Sequence, residues 1–344
     1  MAPASMWIMS ARRVTIVDLA AELGLSKTTV SDALHGRGRV APETVSQVRD
    51  TAAALGYVGN RAAQQLRGNR VGAVGLYIPP VVRSFAFYME FVFGAVAAAG
   101  ENGIDLVLLT RDEAALRSRP PAVDGIVAID PLPGDRVLEA LAALAVPLVT
   151  AGRPLDPEAV AADGTVEVGY PAYIRELLDR AHARGLDRPA LLLPDQQFHS
   201  SFAEDVVIGY RDWCEEHRVE PWIREIPVHP SNDRVAEVLD ELVSGLDPDI
   251  VLCSYQGLAG RLLAPLERGG KRPGPDFELV SLVGDPVTEL GDERITSLDI
   301  RPAEFGRASV LLLRDLLEGA ALAPASRTHE AVIPGDAIPI AASR

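Results

Sequence analysis

The chain has 344 residues, of which 48% are hydrophobic and 24% are charged, and its formal net charge at pH 7 is −15. This length and apolar content are sufficient for two or three domains with well-buried cores. No apolar run reaches the roughly 18 residues of a membrane span, and residues 1–12, predicted to be a disordered tail, lack the order and length of a secretory signal. Membrane and secreted proteins are therefore excluded, and a cytoplasmic protein is predicted.

The stretch from Thr15 to His35 predicts two short helices joined by a tight turn. Apolar residues of the first helix recur at three- and four-residue spacing and stop at Gly24, which can take the positive φ that a sharp turn needs. Ser26 is a suitable N-cap for the second helix, and Val30 fills the gap between the two. The pattern is typical of a helix-turn-helix, although an ordinary helical hairpin stays open from this stretch alone. Donors suited to base edges and phosphates occupy the outward face of the second helix: Lys27, Thr28 and Ser31.

A third helix and a short connecting segment follow. Pro42 and Glu43 are favourable in a first helical turn, Gly56 ends the helix, and Tyr57 can fold back over the core. The inward stripe is predicted to be Thr44, Val48, Ala52 and Leu55. Residues 13–58 are therefore predicted to be one DNA-binding domain. Residues 59–70 are predicted to be either a plain linker or a hinge helix, because so short an apolar patch cannot hold a helix alone.

Charge is distributed unevenly between this head and the rest of the chain. Residues 1–70 contain nine Lys and Arg against five Asp and Glu, whereas the remainder contains 24 basic and 43 acidic residues. A basic head on an acidic body predicts that contact with phosphates is confined to the head.

The head resembles that of the lactose-repressor (LacI/GalR) family of bacterial transcription regulators. The likeness is carried by residues 14–40 and 42–68, and it is dense over roughly residues 13–70. The helix-turn-helix, the third helix and the hinge pattern follow in that order, and the hinge pattern is Tyr57, Asn60, Arg61, Gln65 and Leu66. Two departures are Gly59, where the family usually has Pro, and Asp32, where Arg is common. Accepting a hydrogen bond from cytosine and pairing with a nearby arginine both stay open for Asp32.

The resemblance implies a DNA contact set that spans the head and the hinge. Base readout is predicted for Lys27, Thr28 and Ser31, and Leu66 is predicted to wedge into the minor groove. The remaining predicted DNA contacts, most of them to the backbone, are Thr15, Thr29, Arg37, Arg39, Asn60 and Arg61.

From Val71 onward, short apolar strands alternate with amphipathic helices, which predicts parallel sheets with crossover helices. Strands are predicted at 71–78, 104–109, 125–129, 146–151, 189–193, 249–253 and 278–282, and helices at 86–102, 134–145, 171–184, 203–217, 232–244 and 257–268. The predicted fold class is an all-α helix-turn-helix head plus a periplasmic-binding-protein-like α/β domain of two doubly wound lobes. The resemblance implies three crossings between the lobes, near 165–168, 297–300 and 326–330. Lobe 1 is predicted at about 71–166 and 299–327, and lobe 2 at about 167–297 and 328–344.

A ligand cleft is predicted beyond the carboxyl ends of the strands, where open parallel sheets bind ligands. Each residue at these positions, taken alone, is more often a solvated loop residue than a ligand contact. The predicted effector-binding set is Tyr77, Phe85, Arg111, Asp130, Arg153, Gln196, Ser200, Tyr255, Gln256 and Asp285.

Three further departures from the family concern the ligand. Sugar- and purine-binding relatives normally carry an Arg where this chain has Val206, an Asn-Asp pair where it has Tyr255-Gln256, and an Asp-Asn pair where it has Gly169-Tyr170. This chain therefore lacks charged groups that hydrogen-bond sugars in its relatives. Their absence predicts an effector less hydroxylated than a monosaccharide, or a cleft that binds no sugar.

No sequence signature favours an enzyme, a metal site or a cofactor. Cys214 and Cys253 lack metal or redox spacing, and the six histidines are scattered, with His199 beside Ser200 as the only suggestive cluster. The predicted function is a homodimeric regulator, a repressor in most of this family, that binds a pseudo-palindromic operator in double-stranded DNA under control of a small-molecule effector. Alternatives are a small-molecule sensor with a degenerate head and, more weakly, an effector-hydrolysing enzyme.

Overall fold

A computed structural model describes most of the chain as two compact units, Met1–Val71 and Gly72–Arg344. The residues it describes are 14–35, 40–55, 57, 71–195, 198–274, 277–285 and 288–333. The predicted tail and hinge therefore lie outside the described residues, together with Arg37, Arg39, Asn60, Arg61, Leu66 and Gln196. In the ranges given, no helix is both long and apolar enough to cross a bilayer.

The first unit contains three helices, α1 (Ile16–Leu23), α2 (Lys27–His35) and α3 (Pro42–Ala54). A capping box starts α1: the Thr15 side chain accepts from the Asp18 amide, and the Asp18 carboxylate accepts from the Thr15 amide at 2.8 Å. Gly24, at φ 65°, ends the helix as predicted. A small core of Leu19, Ala20, Val30, Ala33, Val48 and Ala52 holds the three helices together. The prediction for Leu55 was wrong: α3 ends at Ala54, and Leu55 is exposed.

Lobe 1 of the second unit is built on a parallel sheet of six strands in the order β11-β5-β4-β3-β1-β2. The strands are β1 (Ala73–Tyr77), β2 (Asp105–Leu108), β3 (Gly125–Ile129), β4 (Leu148–Ala151), β5 (Gly164–Val168) and β11 (Ala325–His329). The helices of this lobe are α4 (Ala86–Glu101), α5 (Glu113–Ser118), α6 (Arg136–Ala142) and α11 (Pro302–Glu318).

Lobe 2 is built on a parallel sheet of five strands in the order β10-β9-β8-β6-β7. The strands are β6 (Pro189–Pro194), β7 (Trp222–Ile226), β8 (Ile250–Cys253), β9 (Glu278–Ser281) and β10 (Ile295–Ser297). The helices are α7 (Tyr170–His182), α8 (Ser201–His217), α9 (Asn232–Glu241) and α10 (Leu258–Arg268). The predicted fold class, a helical head followed by two doubly wound lobes, is confirmed.

Four strands and two helices were not predicted: β5, β7, β10, β11, α5 and α11. The missed strands mix polar with apolar residues, and β5 alternates buried and half-buried positions along Gly164–Val168. Continuous apolar runs identify strands buried on both faces, so half-exposed strands escape that criterion. Helix α6 begins later than predicted because the Asp135 carboxylate caps it, accepting from the Val137 and Leu138 amides at 3.0 and 3.1 Å.

Candidate DNA-contacting face and effector cleft

The second helix of the head exposes two of the three residues predicted to read bases. Lys27 and Thr28 are exposed in its first turn, and Ser31 is half-buried one turn later. The Ser26 hydroxyl caps the helix, accepting from the Thr29 amide at 3.1 Å and lying 2.8 Å from the Thr29 hydroxyl. Thr29 and Thr15 therefore use their hydroxyls inside the head, because the Thr15 hydroxyl also donates to Asp18 at 2.7 Å.

A cavity of about 110 Å³ lies between the two lobes at the carboxyl ends of their strands. Its volume is several times the roughly 10–15 Å³ that one water requires. Five residues of the predicted effector set line it: Phe85, Asp130, Ser200, Tyr255 and Gln256. The predicted topology therefore brings side chains from both sheets to one cleft.

Three other predicted effector residues, Tyr77, Arg111 and Asp285, lie away from the cavity. Tyr77 packs into the core on the opposite face of β1 from Leu76, and its hydroxyl donates to Asp135 at 2.6 Å. Arg111 donates to the Arg119 carbonyl, and the Asp285 carboxylate accepts from the Thr288 amide at 2.8 Å. None of these three side chains lines the cavity.

Arg153 lies beside the cavity and joins the two lobes. It follows β4 of lobe 1, and its guanidinium reaches Asp205 at 2.8 Å and Glu204 at 3.2 Å on α8 of lobe 2, and Glu167 at 3.4 Å on β5. Burial raises the pKa of Asp205, and the bond from Arg153 partly offsets this. One guanidinium is therefore shared among three carboxylates.

Asp130 is the most unusual group of the cleft. It follows β3 with φ 46°, a left-handed conformation that Asp and Asn tolerate better than most residues. The Tyr88 hydroxyl donates to its carboxylate. Burial raises the pKa of Asp130 to about 6, and the hydrogen bond from Tyr88 opposes the rise.

Several lining residues were not in the predicted set. Tyr170 and Phe202 lie in the first turns of α7 and α8, with ring centroids 4.5 Å apart, and Phe305 lies on α11. These residues belong to helices and not to strand ends. The only signal that could have found one of them is the departure from the family at Gly169-Tyr170.

We expect Asp130→Asn to stabilise the ligand-free protein at pH 7.5 by up to about 2 to 3 kcal/mol. The native state holds the Asp130 proton up to pH about 6, whereas an unfolded Asp loses it near pH 4. The free energy of unfolding of the wild-type protein therefore falls as the pH rises through that window. Asn tolerates the left-handed backbone and can still accept from Tyr88.

Urea unfolding at pH 7.5 and 4.5 measures this effect, and the advantage of the variant should shrink to under about 1 kcal/mol at pH 4.5. Asp233→Asn, at an exposed position in the first turn of α9, is the control and should show no such pH dependence. Equal stability of Asp130→Asn and the wild type at both pH values would contradict the prediction.

The comparisons with known proteins agree with this architecture. Residues 178–338 match the family model of a periplasmic binding protein-like domain. The chain is 28% identical over 300 residues to the HTH-type transcriptional regulator IpsA of Corynebacterium glutamicum, covering 78% of this chain and 82% of that relative.

Two solved structures share the fold. One is a complex of the transcriptional regulator CelR with cellobiose, with a TM-score of 0.67, 24% identity, and coverage of 95% of this chain and 100% of that one. The other is the Lac repressor dimer bound to operator and an anti-inducer, with a TM-score of 0.72, 21% identity, and coverage of 93% and 98%.

A helical DNA-binding head before a two-lobed ligand-binding domain defines a DNA-binding transcription regulator of the periplasmic-binding-protein-like type. The homologues that the chain matches include LacI-family helix-turn-helix regulators, and the chain is similar to them over most of its length.

Proposed function

We propose that the protein is a homodimeric repressor that binds a pseudo-palindromic operator and is controlled by a small molecule bound between its lobes. The observation that carries the proposal is the pairing, in one chain, of a helix-turn-helix that exposes Lys27 and Thr28 with a cavity lined from both sheets. We propose the cytoplasm as its location, since its DNA partner lies there.

An exposed apolar surface on lobe 1 supports the dimer. Met89, Phe93 and Val96 recur on one face of α4, and Val107 and Leu108 lie on the neighbouring edge strand β2. We call these five residues the α4–β2 patch. Exposed apolar side chains on an edge strand and the helix beside it are typical of a protein interface, because such residues promote aggregation when they stay exposed.

Contacts across the cleft support control by an effector. The Phe87 amide of lobe 1 donates to the Gln256 side-chain oxygen of lobe 2 at 3.0 Å, and Arg153 bonds Asp205. A ligand among these groups can favour one arrangement of the lobes over another, and such coupling is typically worth about 1–3 kcal/mol. Through residues 59–70, that preference would set the affinity of the head for DNA.

The base-reading role proposed for Lys27 is tested by Lys27→Ala. If Lys27 contacts a base, the variant should bind a selected operator about 5- to 150-fold more weakly and lose preference at one position of each half-site, as about 1–3 kcal/mol of base discrimination implies. Gel shifts at fixed salt, on operator and on random duplex, measure both quantities. Equal losses on the two duplexes would show contact with phosphate only.

Arg49→Ala, on the exposed part of α3, is a control that removes one positive charge from the same head. It should leave the preference among base pairs unchanged. A wild-type protein that binds an effector but no duplex would favour the sensor with a degenerate head.

A further inference from the structure

We propose that the effector of the inter-lobe cavity is an organic ammonium ion with a small apolar body. This inference rests on the proposed function, because it names the ligand class of the same cleft. It is carried by the charge balance of the cavity, by its aromatic walls and by polar groups of the lining that have hydrogen-bonding capacity unused by the described residues.

The charge balance of the cavity is negative. Asp130, Glu167 and Asp205 line it, and neither lysine nor arginine occurs among the lining residues in the ranges that the structure covers. Arg153, beside the cavity, already bonds Glu167, Asp205 and Glu204. The cleft therefore contains more carboxylate charge than its one guanidinium can balance.

Asp130 in particular lacks a positive partner. Its described contact is the neutral hydroxyl of Tyr88, and no cation of the described chain forms an ion pair with it. Asp130 is half-buried, and a carboxylate partly removed from water without a counter-charge is costly for a folded protein. A ligand cation would remove that cost, whereas a sugar hydroxyl would supply only one more neutral hydrogen bond.

The walls of the cavity are aromatic on both sides. In lobe 1, the ring centroids of Phe87 and Tyr88 are 5.2 Å apart. In lobe 2, the ring centroids of Tyr170 and Phe202, in the first turns of α7 and α8, are 4.5 Å apart. Aromatic faces attract cations through their quadrupole, most strongly in desolvated sites, and quaternary ammonium groups are often bound in this way. Carboxylates and aromatic rings in one cavity therefore favour an ammonium ion over a neutral or anionic ligand.

Three buried polar side chains can anchor the rest of the ligand. The hydroxyls of Ser200 and Ser201 line the cavity and form no side-chain hydrogen bond with a described residue. Gln256 is buried as well, and its oxygen accepts from the Phe87 amide, which leaves its amide nitrogen available. Polar side chains that line a cavity and have no described partner for these groups favour ligands that supply a hydroxyl or carbonyl oxygen.

Matched pairs of charged and uncharged probes test the charge directly. Isothermal titration of the full chain would compare choline with 3,3-dimethylbutan-1-ol, its uncharged isostere, and benzyltrimethylammonium with neopentylbenzene, with D-glucose as a hydroxylated neutral probe. We expect at least one ammonium ion to bind tenfold or more tightly than its isostere, and glucose to bind more weakly than that ion. Isosteres that bind as well as the cations, no binding by either cation, or tighter binding of glucose would overturn the proposal.

Asp130→Asn tests which group recognises the charge. We expect the variant to lose tenfold or more of its affinity for the bound ammonium ion, while its affinity for the isostere stays the same. Asp233→Asn makes the same charge change on the exposed surface of α9 and should bind as the wild type does. Unchanged ammonium binding by Asp130→Asn would contradict the role given to Asp130.

Gel shifts on the same preparations separate this inference from the proposed function. Binding of DNA without binding of any ammonium probe would overturn only the ligand class. Binding of an ammonium probe without binding of DNA would overturn only the regulator.

Discussion

Replacing Gly94 by alanine is expected to lower the free energy of unfolding by about 3 kcal/mol. Gly94 of α4 lies against the backbone of α11, and a Cβ atom there would be 1.7 Å from the Ala303 carbonyl oxygen. At Gly306 of α11, a Cβ atom would be 2.1 Å from the Phe91 carbonyl oxygen. The two helices therefore touch backbone to backbone, and neither backbone can move aside without disturbing the other contact.

Gly100→Ala is the control for this prediction. Gly100 lies on the same helix, but nothing lies within 4 Å of the position its Cβ would take. Because alanine favours helix over glycine, this change should stabilise the protein by up to about 1 kcal/mol. Guanidinium unfolding monitored by circular dichroism measures both variants, and equal stability of Gly94→Ala and the wild type would show that the helices do not pack so closely.

Phe93→Glu is expected to convert the proposed dimer to a monomer and to weaken operator binding by 100-fold or more. Phe93 is 62% exposed and lies at the centre of the apolar stripe on α4. In a two-fold interface each copy of the patch meets the same patch, so one substitution places two carboxylates there. A monomer contacts one half-site and loses the contribution of the second head.

Sedimentation equilibrium and gel shifts measure these two effects. Leu322→Glu introduces the same charge at a position that is 84% exposed and outside the α4–β2 patch, so it should leave both results unchanged. A Phe93→Glu variant that is still a dimer would place the interface elsewhere.

The head could be predicted from sequence because its signals are local. Thr15, Gly24 and Ser26 act within a few residues of where they stand, as a capping residue, a left-handed turn and a second cap. Leu55 is the exception, because its orientation depends on where α3 ends against the other helices. Apolar strands of the lobes were predicted for the same reason, whereas the half-polar strands β5 and β11 are defined by the partners they pair with.

The cleft could be predicted only in part. Asp130, Ser200 and Gln256 were predicted because ligands bind beyond the carboxyl ends of parallel strands, and the topology alone brings those positions together. The strand ends alone could not identify Tyr170 and Phe202, since helices reach the cavity at angles that side-chain packing decides. The sequence also could not show that Arg153 donates hydrogen bonds to carboxylates of α8, because those residues are about 50 positions further along the chain.

The charge of the cleft illustrates the same limit. An Asp at the end of a strand is common in sequences of this fold class. The raised pKa of Asp130 comes from its burial against Tyr88, with no cation of the described chain in an ion pair with it. Functional groups of this kind often reduce the stability of a fold, which is why Asp130→Asn is expected to be more stable and less able to bind.

Selection of bound duplexes from a random DNA pool by the purified full-length chain tests the regulator most directly. We predict that the recovered sequences share one pseudo-palindromic site, and that gel shifts on this site show tighter binding than on random duplex at the same salt concentration. A protein that binds no duplex at low ionic strength, or binds all duplexes equally, would contradict the account.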